Sequence, residues 1–224
     1  MEDKVIRKKF EHPEWCYQSN IYEVNLRQYT PEGTFNAFVK ELPRLADMGI
    51  GILWFMPITP ISKKDRLGSL GSYYAVQDYT ATNPEFGTID DFKNLVREAH
   101  NLGFKVIIDF VGNHTGNDHH WIIEHPEYYR YNPDGTILHP HGWSDVAQLN
   151  FEEKGVWNAL AEAMEFWVRE CDIDGFRCDM AHLVPLDLWY EARLRLEKLK
   201  PNQFWLGECE VAEYHEVFDA TYTW

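Results

Sequence analysis

The chain has 224 residues, a formal net charge of −15, 45% hydrophobic residues and 15% aromatic residues. This apolar content excludes an intrinsically disordered chain and is sufficient for one large domain. The excess of acidic residues argues against nucleic acids and anionic membrane surfaces as partners. The charge fits a protein that acts on a neutral or cationic small molecule.

Two features bear on cellular location. Residues 1–9 are charged and lack the apolar stretch of a signal peptide, and the sequence has no run of about 20 apolar residues for a membrane span. We therefore expect a cytoplasmic protein. The four cysteines have no C-x-x-C spacing, which predicts free thiols rather than a zinc or redox motif.

Strand and helix patterns alternate along the chain. The predicted strands are residues 21–27, 50–56, 105–111, 173–178 and 204–207. The predicted helices are residues 35–48, 89–102, 156–171 and 186–199. Pro43 lies inside the first of these helices and is expected to bend or shorten it. The second strand is almost wholly apolar, which is typical of a strand covered on both faces.

The alternation predicts an α/β fold with a parallel sheet, either an open doubly wound sheet or a TIM-type (β/α)8 barrel. The sequence has no G-x-G-x-x-G after the first strand, which argues against the dinucleotide-binding sheet. About five β/α units are present, so we expect an incomplete barrel, formed by residues 1–112 and 151–224. Residues 113–150 are predicted to be an irregular subdomain inserted after strand three. Exposed sheet edges in such a barrel favour self-association.

Acidic side chains stand at the carboxyl ends of three consecutive predicted strands. Residues 109–114 (Asp-Phe-Val-Gly-Asn-His) end the third strand, residues 175–179 (Gly-Phe-Arg-Cys-Asp) end the fourth, and Glu208 follows the fifth. The active site of a (β/α)8 barrel lies at this end of its strands. The coincidence favours the barrel and predicts a catalytic site at this rim.

The spacing of these residues indicates glycoside chemistry. Arg177 and Asp179 are two apart on a strand, so their side chains share a face. The guanidinium is expected to lower the pKa of Asp179 and favour an ionised nucleophile, while Glu208 stays protonated as the general acid. Carboxyl groups about 5–5.5 Å apart support the retaining mechanism. Taken alone, the Arg177–Asp179 pair is equally consistent with a structural ion pair.

These blocks, together with residues 71–79 and 83–88, resemble the sequence blocks of the α-amylase family of glycoside hydrolases and transglycosidases. The resemblance extends from about residue 21 to the last residue. It implies a retaining enzyme that acts on α-1,4-glucans or maltodextrins through a covalent glycosyl–enzyme. Asp179 would be its nucleophile and Glu208 its general acid and base.

The same resemblance implies the substrate-binding residues. Tyr74 is expected to stack on the sugar next to the cleaved bond. His114 and Arg177 are expected to contact that sugar or hold the nucleophile, and Asp109 to brace the site. A calcium ion is the one cofactor implied, with Asn113 as a ligand, and no organic cofactor is expected.

The sequence departs from the family pattern at three places. The block that carries the transition-state Asp after strand seven is absent, and residues 180–183 (Met-Ala-His-Leu) stand where many amylases have a Lys-His pair. Gln148 stands where an acidic calcium ligand is expected, and a neutral amide is a poorer ligand for this ion than a carboxylate.

Three functions therefore remain open. The first is a glycoside hydrolase, or a transglycosidase if a sugar hydroxyl replaces water. The second is a non-catalytic amylase-like module that binds glucans or another protein. The third is a metal-dependent barrel hydrolase with Asp109 and His114 as ligands, which would need further ligands from other strand ends.

Overall fold

The computed structural model of the chain describes residues 8–224. Most of the charged segment on which the expected lack of a signal peptide rests, residues 1–7, lies outside the described residues. Within residues 8–224 we find no helix whose length and hydropathy would carry it across a bilayer. The four cysteines are free thiols, as predicted.

Six parallel strands form the main sheet, in the order β1-β2-β3-β6-β7-β8. These strands are β1 Ile21–Val24, β2 Ile52–Phe55, β3 Lys105–Val111, β6 Gly175–Asp179, β7 Phe204–Gly207 and β8 Ala220–Thr221. A separate antiparallel pair consists of β4 His114–Gly116 and β5 Val146–Gln148. The main sheet is part of a (β/α)8 barrel.

The α-helices lie between the strands. They are α1 Leu26–Tyr29, α2 Phe35–Val39, α3 Leu42–Asp47, α4 Ile89–Asn101, α5 Trp121–Glu124, α6 Lys154–Cys171 and α7 Leu186–Leu199. Helix α4 begins with a reciprocal capping box between Thr88 and Asp91, which the sequence pattern of these two residues predicts. Helices α4, α6 and α7 cover the outer face of the sheet.

Strand side chains alternate between two apolar layers. Leu53 and Phe55 on β2 belong to the large core that the sheet shares with the helices. Ile52 and Trp54, on the opposite face of the same strand, join a smaller core with Ile107 of β3. The smaller core fills the concave side of the sheet, below the polar residues at the strand ends.

The structure confirms most predicted elements and corrects three. The first strand ends at Val24, because the chain enters α1 directly after Asn25. The predicted helix 35–48 is two helices, since Pro43 lies in the first turn of α3, where its missing N–H costs nothing. The chain does not stop at five strands: the two-residue β8 adds a sixth.

The two long irregular segments meet above the carboxyl ends of the strands. Asp118, in the segment that follows β4, accepts the backbone N–H of Lys63 at 2.8 Å and that of Lys64 at 3.2 Å. Its same oxygen accepts the side-chain amide of Gln77 at 3.2 Å. These bonds join the connection between β2 and α4 to the inserted segment. The two segments together surround the carboxyl ends of the strands.

Candidate active site

The parallel register brings the predicted catalytic residues together. Asp109 on β3 lies beside Arg177 on β6, and Glu208 follows the last residue of β7, Gly207, which pairs with Cys178. Asp179 is the last residue of β6. Because Asp109, Arg177, Asp179 and Glu208 sit at matching levels on one face, their side chains converge on one point.

Arg177 is the centre of this group. Its Nη1 donates to both oxygens of Asp109, at 2.9 and 3.1 Å, and to Asp179 at 2.9 Å. Its Nη2 lies 2.8 Å from Oε2 of Glu208. The guanidinium is only 4% exposed. One buried cation therefore holds three carboxyl groups, and the two predicted catalytic carboxyls are among them.

The charge balance corrects one prediction about Asp179. Burial raises its pKa well above the usual range, and this outweighs the opposing effect of Arg177. Contact with Glu208 raises the pKa of Asp179 further. Burial also raises the pKa of Asp109, with Arg177 again acting in the opposite direction. A single guanidinium cannot neutralise the buried carboxylates of Asp109 and Asp179 together, so this pair retains a proton near neutral pH.

The residue after Asp179 positions Glu208. Met180 adopts a left-handed backbone conformation with φ of 42°, which is uncommon for a residue with a side chain. This turn directs its N–H at Glu208, which accepts it through Oε2 at 2.8 Å. The carboxyl of Glu208 is 17% exposed and keeps access to the cavity. Local strain at Met180 thus fixes the second carboxyl relative to the first.

Tyr74 and His114 flank the carboxyl cluster. The hydroxyl of Tyr74 lies 3.4 Å from Oδ2 of Asp109, and its ring is half-buried. Burial lowers the pKa of the His114 imidazole to about 4, so this ring is neutral at physiological pH. Trp143 packs edge-on against His114, with 5.7 Å between ring centroids. Neutral aromatic surface and polar groups therefore lie side by side, as sugar binding requires.

These residues line an open cavity of about 590 Å³. Its lining includes Tyr74, His114, Arg177, Asp179 and Glu208, with Trp143, Asp145, Met180 and Leu67 around them. The volume lies within the usual range for small-molecule sites. The structure thus brings five of the predicted site residues to one cavity, while Asp109 lies beneath it behind Arg177.

Two aromatic contacts of Arg177, with Trp54 and with Tyr222, were not predicted. The indole N–H of Trp54, on the apolar second strand, donates to Asp109 at 3.2 Å, and its ring centroid lies 5.1 Å from the Arg177 guanidinium. Tyr222 follows β8, and its ring centroid lies 5.6 Å from the same guanidinium. Its hydroxyl oxygen accepts the Nε–H of Arg177 at 3.2 Å. Trp54 is two residues after Ile52, so the strand period of two places both side chains on the concave face. That period could have predicted the position of Trp54. No signal pointed to Tyr222.

The donor set at Asn113 does not fit a calcium ion. Its Oδ1 and its backbone oxygen both accept the side-chain amide of Gln148, at 3.1 and 3.0 Å. Calcium holds its oxygen ligands at 2.3–2.6 Å and favours carboxylates. Within residues 8–224 no group of three His, Cys, Asp or Glu side chains is placed to bind a metal. The oxygens of Asp109 are engaged by Arg177, so the metal-hydrolase alternative has no support from the geometry.

Comparison with known proteins matches this architecture to one group. The family model described as "Alpha amylase, catalytic domain" matches residues 10–140. An α-1,4-glucan:maltose-1-phosphate maltosyltransferase from Chlorobaculum tepidum is 30% identical over 216 residues, which cover 85% of this chain and 32% of that protein.

Solved structures show the same likeness. An α-amylase from Lactobacillus plantarum is 39% identical with a TM-score of 0.88, covering 91% of this chain and 52% of the other. An α-amylase from Geobacillus thermoleovorans, complexed with acarbose, is 27% identical with a TM-score of 0.72, covering 90% of this chain and 48% of the other. The chain therefore spans between about a third and a half of the length of these relatives.

Proposed function

The chain belongs to the α-amylase family of glycoside hydrolases and transglycosidases, and we propose that it cleaves α-glycosidic bonds with retention of configuration. The observation that carries the proposal is the shared guanidinium. Arg177 lies 2.9 Å from Asp179 and 2.8 Å from Glu208, so both carboxyls face one point of the cavity. Two adjacent carboxyls with one proton between them are what double displacement requires.

In the first step, Oδ of Asp179 attacks the anomeric carbon of the bound sugar. The bond from that carbon to the glycosidic oxygen breaks, and Glu208 transfers its proton to the departing oxygen. The product is a covalent glycosyl ester of Asp179. The attack requires that the proton of the cluster lies on Glu208 and not on Asp179. Arg177 favours this arrangement, because its Nη1 donates to Asp179 and stabilises that carboxyl in its ionised form.

In the second step, Glu208 is a carboxylate and accepts a proton from an incoming hydroxyl. The oxygen of that hydroxyl bonds to the anomeric carbon, and the ester bond to Asp179 breaks. Water as the acceptor gives hydrolysis, and a second sugar gives transfer. The N–H of Met180 holds Glu208 in place through both steps, since it donates to Oε2 at 2.8 Å.

We place α-1,4-glucans or maltodextrins in the cavity as substrates. Tyr74, the neutral His114 and Trp143 offer aromatic surface for the C–H faces of glucose rings, and the carboxyl cluster offers hydrogen-bond acceptors for hydroxyls. The similar proteins include a maltosyltransferase that uses an α-1,4-glucan and an α-amylase complexed with acarbose. These likenesses support a glucan substrate for both hydrolysis and transfer.

The test is to trap the glycosyl ester. The chain is incubated with 5-fluoro-α-D-glucosyl fluoride, whose ring fluorine slows both steps while fluoride leaves readily, and peptides are mapped by mass spectrometry. We expect the sugar on Asp179. Asp179→Asn should show no adduct, whereas the matched change Asp78→Asn, at a carboxyl outside this cavity, should label normally.

Labelling at another residue, or hydrolysis of maltotetraose by Asp179→Asn at the rate of the unchanged chain, would refute the mechanism. Binding of maltotetraose without any labelling would instead favour the glucan-binding module that lacks catalysis. Isothermal titration with maltotetraose, carried out beside the labelling, separates these outcomes.

A further inference from the structure

The chain leaves the barrel after β3 and returns to it after β5, and one side chain joins these two points. Gln148 is the last residue of β5 and pairs with His114, the first residue of β4. Its Nε2 lies 3.0 Å from the backbone oxygen of Asn113, 3.1 Å from Asn113 Oδ1 and 3.2 Å from the backbone oxygen of Leu149. A single amide nitrogen thus sits among three oxygens at the neck of the inserted segment.

We infer that the Gln148 amide takes the place of a divalent cation at this neck and holds the inserted segment to the barrel without metal. The amide carries its positive hydrogens into a cluster of oxygen atoms, which is the electrostatic role of a cation. All three oxygens are neutral, and no carboxylate is among them to balance a charge of +2. The distances are those of hydrogen bonds, so the amide nitrogen already occupies the position from which these oxygens are reached.

The surroundings fix the orientation of the Asn113 amide. Asn113 is 2% exposed, and its Nδ2 lies 3.2 Å from Nδ1 of His114, which turns its Oδ1 towards Gln148. The backbone N–H of Leu149 donates to the backbone oxygen of Asn113, at 3.3 Å. Loss of the Gln148 donor would leave Oδ1 of Asn113 buried without this partner, which is costly. The amide is therefore a structural clamp between the two ends of residues 113–148.

The first test needs no substitution. The full chain is stripped with EGTA, and its melting temperature is compared with that of the same sample in 5 mM CaCl2. We expect the two values to agree. A calcium-dependent rise of about 2–4 °C or more, the shift typical of 1 kcal/mol in a chain of this size, would overturn the inference.

The second test converts the clamp into a cation site. Gln148→Asp is one methylene shorter, so it leaves space for an ion and adds the missing charge. We expect Gln148→Asp to melt below the unchanged chain in EGTA and to regain several degrees with calcium, but less with magnesium, which demands shorter and more regular coordination. Gln148→Glu has the length of glutamine and leaves no space, so it should melt lower and respond less to calcium.

The third measurement isolates the clamp itself. In Gln148→Leu, hydrogen exchange at the amides of β4 and β5 should accelerate about fivefold or more relative to the amides of β3. The matched change is Asn132→Leu, which removes another amide of the same segment, one that donates to Thr136 and to the backbone oxygen of Ile137 and not to the neck. It should leave exchange at β4 and β5 unchanged. Unaltered protection of β4 and β5 in Gln148→Leu would show that the amide does not hold the neck.

Discussion

The indole N–H of Trp54 donates to Oδ2 of Asp109 at 3.2 Å, while the face of the same ring lies 5.1 Å from the guanidinium carbon of Arg177. One side chain of the concave core therefore contacts both members of a buried ion pair. Tyr222 faces the guanidinium as well, from the far edge of the sheet. Arg177 is thereby restricted to an orientation in which its two Nη groups serve different carboxyls.

Trp54→Phe should destabilise the chain in a pH-dependent way. The substitution keeps an aromatic face for Arg177 but removes the donor to Asp109, at a cost of about 1–2 kcal/mol. Since that bond favours the ionised carboxyl, its loss raises the pKa of Asp109 further, and the destabilisation should be larger at pH 9 than at pH 5. Urea denaturation at both values measures this. Trp224→Phe, at a ring that is 77% exposed, is the control, and equal losses at the two pH values would contradict the argument.

Asp179→Asn should stabilise the chain at neutral and alkaline pH. Burial raises the folded-state pKa of Asp179 to about 7, against about 3.9 for an unfolded chain. The stability that comes from the protonated carboxyl is complete below about pH 4 and is lost as the pH rises through 7. The variant escapes this loss, so we expect it to exceed the unchanged chain by on the order of 2 kcal/mol at pH 8.

The measurement for Asp179→Asn is chemical denaturation at pH 4, 6 and 8. The free energies of unfolding of the two proteins should be similar at pH 4, and the variant should become the more stable of the two as the pH rises. A variant that is less stable at every pH would show that the ion pair with Arg177 outweighs the burial of charge.

Asp174→Asn should weaken the chain at neutral pH but not in acid. Burial alone would raise the pKa of Asp174, but bonds from His100 at 2.7 Å and the Val106 N–H at 2.9 Å, with Lys200 nearby, lower it to about 2. The ionised carboxyl therefore stabilises the fold above about pH 4, and this contribution is lost as the pH falls towards 2. We expect a loss of about 1.5–3 kcal/mol at pH 7.

Urea midpoints at pH 7 and pH 2.5 test Asp174→Asn. The gap between the variant and the unchanged chain should narrow in acid. Asp47→Asn, at an exposed carboxyl at the end of α3, should show no such pH-dependent gap. A gap for Asp174→Asn that is constant with pH would assign the loss to packing instead.

Ile21→Lys should reduce self-association. Strands β1 and β8 are the edges of the described sheet, and Ile21 on β1 is 39% exposed. Open strand edges recruit further strands, and a lysine at an edge opposes this. Sedimentation velocity should show associated species for the unchanged chain and fewer for Ile21→Lys. The matched control is Ile123→Lys, at a site on α5 that is 87% exposed and not at a sheet edge. Its fraction of associated species should stay close to that of the unchanged chain.

The elements with strong local patterns were predictable from sequence. Strands β3 and β7 and helix α7 have the predicted bounds, because continuous apolar runs and helical periodicity mark them without help from distant residues. Strand β8 was missed because two residues carry no detectable period, and only pairing with β7 makes them a strand. The sequence predicted that Pro43 would disturb the helix 35–48, because the proline ring blocks a continuous helix. It did not predict the division into two helices.

The sequence by itself determined that Asp109, Arg177, Asp179 and Glu208 stand at strand ends, because strand period and chain order suffice for that placement. Only the tertiary structure decided the charge state of the cluster. The raised pKa of Asp179 comes chiefly from burial, which a strand pattern cannot report. The roles of Trp54, Tyr222 and Gln148 were likewise decided in three dimensions, since each acts on a residue that is distant along the chain and near only once the chain has folded.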